Sequence, residues 1–402
     1  MAAYKPLQGM RVLSAEQYGA GPYGSMQLAD LGAEVIKIEN PHEGGDDSRL
    51  TGPYFLGEDP NQPDSLFFQS LNRNKKSLTL DLKKPDGQAT LKRLAAQCDA
   101  VMNNLRGDLP DRLGLTYAAL KDANPKLVCV HLSAYGRHND RAAWPGYDYL
   151  MQAEAGFLHL TGEPSSPPTR MGLSVVDFMT GMTTAMSLLA GVWGAQRHNR
   201  GCDIDISLFD VALAQLNYPA AWFLNEGHTI ERMPRSAHPS TVPCELVPCA
   251  DGWLFVMCMT PKFWRALAEG VGKPQWLDDP RFVDAASRRK HRLEMTAELE
   301  AVFKHKAVAD WMALFAGKLP AAPVLNLAQA LTQPFALSQG MVEQVPHPHA
   351  PQQKLVASPI RIEGQRPQGK ACSALGTDTA QLLGDMGWSA DEISRLKQEG
   401  VI

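Results

Sequence analysis

Three observations predict a doubly wound α/β fold with a second, smaller α+β domain. Over the first 200 residues, short strand-like runs alternate with helical stretches, the pattern of a parallel sheet covered on both faces. From about residue 225 the texture changes to a hairpin followed by helices. Between the first strand-like run and the first helix stands "YGAGPYG", in which Gly19, Gly21 and Gly24 spell G-x-G-x-x-G, and Glu39 follows roughly 20 residues after the first glycine. That arrangement makes the large domain Rossmann-like.

The elements follow in order. "GMRVLSAE" reads as a strand, "GSMQLADLG" as a helix and "AEVIKIEN" as a strand. "SLTLDL" and "AVMNNL" are strand-like, separated by the helical "DGQATLKRLAAQC". "LPDRLGLTYAALKDANP" is helical and "KLVCVHLSAYG" strand-like. The Pro-rich "TGEPSSPPTR" breaks regular structure. A long apolar helix is expected over 178–198, and another beginning near 206 with "ISLFDVALAQLNYPAAWFLNEG". "HPSTVPCELVPCADGWLFVMCMT" reads as a hairpin turning at Asp251-Gly252. Helices "PKFWRALAEGVG", "RLEMTAELEAVFKHK" and "VADWMALFAGKL" come next, and two capped short helices close the chain. Residues 1–200 and 335–402 are assigned to the large domain, 225–325 to the small one, and 201–224 and 326–334 to linkers. A chain of 402 residues exceeds what one ordinary core supports, which agrees with two domains.

Composition excludes several classes. Charged residues make up 20% and the formal net charge is -4, which argues against a nucleic-acid binder. "MAAYKPLQGM" lacks the charged-then-apolar order of a signal peptide. The apolar helix around "MTTAMSLLAGVWGA" is short for a membrane span. Seven scattered cysteines form no C-x-x-C pair and read as reduced thiols, hence a cytoplasmic location. The eleven histidines form no ligand pattern, so no metal is expected.

Pattern alone leaves the glycine turn with three readings: NAD, another phosphorylated cofactor, or no ligand. Pro22 suits a first helical position, and such a helix start receives any phosphate or oxyanion.

The neighbouring residues narrow the choice. "GAGPYGSMQLADLGAEVIKIENP…GGDDSR", then "SLNRNKKSLTLDLKKPDG", resembles the family III coenzyme A transferases. The likeness continues through "DRLGL", "PGYDYLMQAEAG", "SVVDFMTGM", "RGCDIDISLFD", "HPSTVP", "ADGWLFV", "PAAPV" and "MGWSADEISRLKQEGVI", in order along essentially the whole chain. It implies that the turn faces a CoA thioester and that Glu39 is no ribose hook. It implies a homodimer of two interlocked subunits, with acyl-CoA and a small carboxylate as substrates and no tightly bound cofactor.

The resemblance makes the aspartate of "SVVDFMTG", Asp177, the nucleophile. Read without it, Asp177 is an ordinary helix N-cap; the two roles are compatible, since a helix start stabilises the carboxylate anion. Tyr147 falls at the family's active-site tyrosine, with acidic Asp148 after it. An isolated tyrosine is as easily a packed residue with a satisfied hydroxyl. CoA contacts map to Tyr18, Gly19 and Ala20, to Leu80 and Lys83, to Asn104 and Leu105, and to Arg112. Any one of these charges also fits a solvated face. Asn40 and Pro145 stand where oxalate-using members have an arginine and a lysine, so Lys37 is expected to supply a phosphate contact instead. The family's Gly-rich lid has no counterpart in "VMCMTPKF". Racemase relatives need two acid/base groups, the second a histidine; here the triplet is Gly146-Tyr147-Asp148, and a tyrosine of reference pKa about 10 is a poor base. An NAD-dependent oxidoreductase would need a hydride pocket and a catalytic acid, and a mere CoA-binding protein leaves Asp177 without a role. For the acid substrate, Arg49, Arg170 and His238 are candidates to hold a second carboxylate, although Arg170 pairs equally well with Glu163. The expectation is a dicarboxylate exchange, such as succinyl-CoA with another small diacid.

Overall fold

Residues 4–57 and 64–402 are described in a computed structural model of the chain. They divide into two compact units: residues up to 155, 172–217 and 334–402 form the first, and 156–171 with 218–333 the second.

The first unit is built on six parallel strands: β1 (Arg11–Ala15), β2 (Glu34–Glu39), β3 (Lys76–Thr79), β4 (Ala100–Asn103), β5 (Val128–Ser133) and β6 (Cys202–Ser207). Their order across the sheet is β3-β2-β1-β4-β5-β6. The chain therefore reverses direction of build between β1 and β4, the switch point where open parallel sheets bind ligands. The seven helices that matter here are α1 (Ala20–Asp30), α2 (Pro85–Ala95), α3 (Asp148–Glu154), α4 (Val175–His198), α5 (Leu208–Gln215), α6 (Thr379–Asp385) and α7 (Ala390–Gln398).

Strand residues alternate between two helical layers. Leu13, Ile36, Leu78, Val101 and Cys129 pack with Leu91 and Leu94 of α2, Leu382 and Leu383 of α6, and Leu396 of α7. Val12, Val35, Met102 and Val130 pack with Leu28 of α1 and Leu188 and Val192 of α4. β4 and β5 are buried along their whole length, and their polar Asn103 and His131 are paired with each other at 2.8 Å. α7 begins with a capping box, in which Ser389 and Glu392 satisfy each other's backbone N–H.

α4 is 24 residues long, and its most apolar window has a mean hydropathy of 1.4, enough in length and composition to cross a membrane. In the fold it packs along α1 and behind β5 and β6.

Three expectations are corrected. Cys202–Ser207 is a strand rather than linker, because it pairs in register with all of β5 from Val128↔Cys202 to Ser133↔Ser207. It is an edge strand, half polar, with Asp203 and Asp205 masking its signal. The helix expected from 206 is two helices, α5 and Asn217–Glu226, broken at Asn217 with φ +46°. Residues 156–171 also join the second unit: Arg232 Nη1 donates to the carbonyls of Ser166 and Pro167, and Arg235 N donates to Glu163 Oε1.

The second unit carries the expected hairpin, Cys244–Pro248 against Trp253–Met257, closed over 249–252 by Cys249 N donating to Gly252 O. A short third strand, Ala321–Pro323, adds to its edge. Trp264, Trp276, Phe282, Phe303, Trp311 and Phe315 form its core.

Candidate active site

Two neighbouring cavities lie at the C-terminal ends of β1 to β5. One of about 330 Å³ holds Asp177 and Tyr147; the other, about 610 Å³, runs past Leu80, Lys83 and Arg112. Gln17, Leu105 and Leu109 line both. A larger cavity of about 880 Å³ opens at the N-terminal ends of β2 and β3, beside Glu34 and Lys76, on the side of the sheet that the strand-end rule disfavours.

Each glycine of the turn answers a separate close approach. A Cβ on Gly19 would stand 2.2 Å from Asp177 Oδ2, and one on Gly21 would stand 2.9 Å from Asn104 Cβ. A Cβ on Gly24 would meet the Gly181 carbonyl oxygen at 2.5 Å, so α1 and α4 cross there backbone against backbone. The spelling of a dinucleotide turn therefore arises from seating α1 against α4 and the β4 loop.

Glu39 is 3% exposed and fully engaged. Oε1 accepts from Arg49 Nη2 and Ser77 Oγ, and Oε2 accepts from Arg49 Nε and Asp46 N. No lone pair is left for a ribose hydroxyl. Burial pushes its pKa upward, but Arg49 and Lys37 outweigh burial and hold the carboxyl below its usual range. Lys37 is equally committed: its Nζ pairs with Asp46 at 2.8 Å and donates to Glu16 O. Asp46 Oδ1 in turn accepts from Tyr18 N, which sits at φ +68°. This buried ion network fixes the loop that carries Tyr18 and Gly19.

Asp177 is the third residue of α4, after the N-cap Ser174. It is thus not a cap. Its own N–H is taken by Asp148, whose Oδ2 accepts it at 3.0 Å while Oδ1 accepts from Gln152 Nε2 at 2.5 Å. Among the described residues no hydrogen bond reaches the Asp177 carboxylate. Burial first, and the Asp148 charge second, push its pKa up to about 7. The expected stabilisation of the anion by the helix start is outweighed. A raised, unpartnered carboxyl group in a cavity is what a nucleophile or acid/base group looks like.

The other expected residues distribute as follows. Ala20 opens α1 and is buried. Tyr147 is the N-cap of α3, 60% exposed, with its ring centroid 6.1 Å from that of Tyr18. Asn104 clamps the turn, accepting from Gln17 N at 2.9 Å and donating to Gln17 O at 2.6 Å. Leu80, Lys83, Leu105 and Arg112 line the 610 Å³ cavity, Lys83 pairing with Glu43 across its exposed rim. Asn40 lines it too, and Pro145 lines the smaller one.

Lys37 and Arg49 do not reach the cavities as binding groups. Lys37 has 0% exposure, and Arg49, at 2%, is locked in the bidentate pair with Glu39. Arg170 and His238 belong to the second unit, where His238 Nδ1 accepts from Ser240 N and Thr241 N. Burial and then Arg292 lower the His238 pKa. "VMCMTPKF" is the end of a strand and the start of helix Pro261–Gly270, capped by Thr260. Sequence reasoning missed Gln17, Asp47 and Arg106, all lining the smaller cavity. Gln17 and Arg106 follow the ends of β1 and β4, a position that itself marks ligand contacts in such sheets.

Comparisons with known proteins show the family. The CoA-transferase family III pattern matches residues 7–379. A succinate–glutarate CoA-transferase of Agrobacterium fabrum is 32% identical, over 95% of this chain and 96% of its own. A succinyl-CoA:glutarate CoA-transferase of Mus musculus is 30% identical, over 99% of this chain and 90% of its own. The solved structure of a CaiB/BaiF family protein from Brucella suis superposes with a TM-score of 0.82 at 29% identity, covering 95% of this chain and 100% of that one. The chain belongs to CoA-transferase family III.

Proposed function

We propose that the chain moves CoA from an acyl-CoA donor to a small carboxylic acid, with Asp177 as covalent nucleophile. The observation that carries this is the unpartnered Asp177 carboxyl group, raised to about 7, in a cavity beside the start of α1. Its carboxylate attacks the donor's thioester carbon; the C–S bond breaks, leaving a mixed aspartyl-acyl anhydride and CoA thiolate. The thiolate attacks the aspartyl carbonyl and releases the donor acid, giving an aspartyl-CoA thioester. The acceptor carboxylate then attacks the carbonyl of that thioester; the C–S bond breaks, releasing CoA thiolate and leaving a second anhydride. The thiolate finally takes the acceptor acyl group and frees Asp177.

Each step passes through an oxyanion. The first N–H groups of α1, at Ala20 and Gly21, have no intrahelical partner and suit that charge. Asp148 is a positioning residue that holds the first turn of α4. Tyr18 and Tyr147 wall the site against water, which would hydrolyse the anhydride. Lys83 and Arg112 serve the CoA phosphates, with Leu80, Asn104 and Leu105 along the arm. CoA is substrate; no tightly held cofactor takes part, and the enzyme works in the cytoplasm.

Succinyl-CoA and a second small diacid are the proposed pair, a choice supported by the names of the Agrobacterium and mouse relatives. A panel of succinyl-, acetyl- and formyl-CoA against mono- and dicarboxylates, read by mass spectrometry of the CoA products, tests it. The fastest exchange is expected for succinyl-CoA with a diacid. Absence of CoA exchange for every pair overturns the reading.

The proposed assembly is an interlocked homodimer. On α4, Met182, Met186 and Trp193 share one face and are 59%, 66% and 61% exposed, an apolar stripe that a second copy would cover. Light scattering should give twice the 44.0 kDa chain mass at micromolar concentration; a stable monomer contradicts it.

A further inference from the structure

The acid-binding group expected from the sequence is absent from the cavity, because Arg49 is closed onto Glu39. Another cation occupies the right place. Among the described residues lining the 330 Å³ cavity, Arg106 is the one positively charged side chain. It lies three residues beyond the end of β4, in the loop whose Asn104 clamps the glycine turn.

Its side chain is 47% exposed, and its guanidinium makes one hydrogen bond, from Nη2 to Asp108 Oδ2 at 3.2 Å. That carboxylate is shared with Arg112 at 3.6 Å. The remaining N–H donors of the fork are therefore open, and a guanidinium has five. The other formal charges lining the cavity are the carboxyl groups of Asp177 and Asp47. An acyl chain held with its thioester at Asp177 and bearing a second carboxylate is repelled by Asp47 and drawn to Arg106. A monocarboxylate has nothing to offer this cation.

We propose that Arg106 is the specificity-determining residue that binds the distal carboxylate of a dicarboxylic acyl group or acceptor, through paired N–H···O bonds. The inference rests on the reading of Asp177 as the site of CoA transfer. A competing use of Arg106, as a phosphate clamp for CoA, is separable from it, because Lys83 and Arg112 line the neighbouring cavity.

The test compares Arg106→Gln and Arg106→Lys with the wild type. It measures kcat and KM for succinyl-CoA with a small diacid and for acetyl-CoA with a monocarboxylate, together with CoA affinity by calorimetry. Arg106→Gln should raise KM for the diacid by about tenfold or more beyond any change for the monocarboxylate. Arg106→Lys should recover part of that difference, and CoA affinity should hold. Equal losses for both acid classes, no loss, weakened CoA binding, or a wild-type enzyme that accepts monocarboxylates alone would each overturn the proposal. A wild type that moves CoA between no acids at all fails the underlying reading instead.

Discussion

Replacing Asp177 with alanine or asparagine lowers CoA transfer by about 10⁴-fold or more and leaves the chain folded. The neighbouring Asp148 cannot take its place, because it is 4% exposed and holds the Asp177 N–H and Gln152. The pH dependence carries the same signature. Attack requires the anion, so wild-type kcat/KM rises with pH through an apparent pKa near 7, the value that burial and Asp148 impose. Stability moves in the opposite direction. A carboxyl group with a folded pKa of about 7 against an ordinary 3.8 favours the folded state only when protonated. Its penalty is absent below about pH 4, grows as pH rises, and is complete above 7. Each pKa unit is worth about 1.4 kcal/mol, so the rise from 3.8 to about 7 gives a penalty on the order of 4 kcal/mol. Asp177→Asn should therefore melt higher than the wild type at pH 8, with the gap closing by pH 4. An inactive variant that is also less stable at pH 8 would mean that Asp177 is a structural residue.

The glycines of the turn give the second large effect, and they divide cleanly. In Gly19→Ala the new methyl meets the Asp177 carboxylate at 2.2 Å. That carboxylate ends a side chain that can rotate, so the fold survives while the nucleophile is displaced; a loss of about 10²-fold in kcat is expected. In Gly24→Ala the methyl meets the Gly181 carbonyl at 2.5 Å, which is backbone on the facing helix. The α1–α4 crossing must widen, at about 1–3 kcal/mol of stability. Kinetics and urea denaturation on both variants check this. Equal stability loss in both, or an active Gly19→Ala, contradicts the geometry.

The same turn shows what a sequence can and cannot disclose. The parallel sheet was legible because strand-like runs alternate with helical stretches over the first 200 residues, and α7 because Ser389 and Glu392 sit at capping-box spacing. β6 was hidden because an edge strand carrying Asp203 and Asp205 loses the apolar pattern. The G-x-G-x-x-G spelling was visible, yet its partners Asp177, Asn104 and Gly181 lie 80 to 160 residues away or so, beyond any local window. Lys37 and Arg49 look like free cations in a row of letters. Only the closure of Glu16, Glu39 and Asp46 around them shows that they build the loop rather than serve the ligand. Arg106 was overlooked for the converse reason: nothing local distinguishes it, whereas its position past the end of β4 does.

Trapping the covalent intermediate tests the central claim most directly. The enzyme is incubated with succinyl-CoA without acceptor, treated with borohydride or hydroxylamine, digested, and its peptides are weighed. The expected result is a modified side chain at Asp177 alone, in the peptide containing "SVVDFMTG", and no label in Asp177→Ala. Label on a different residue, or transfer that proceeds with no label on Asp177, would contradict the account.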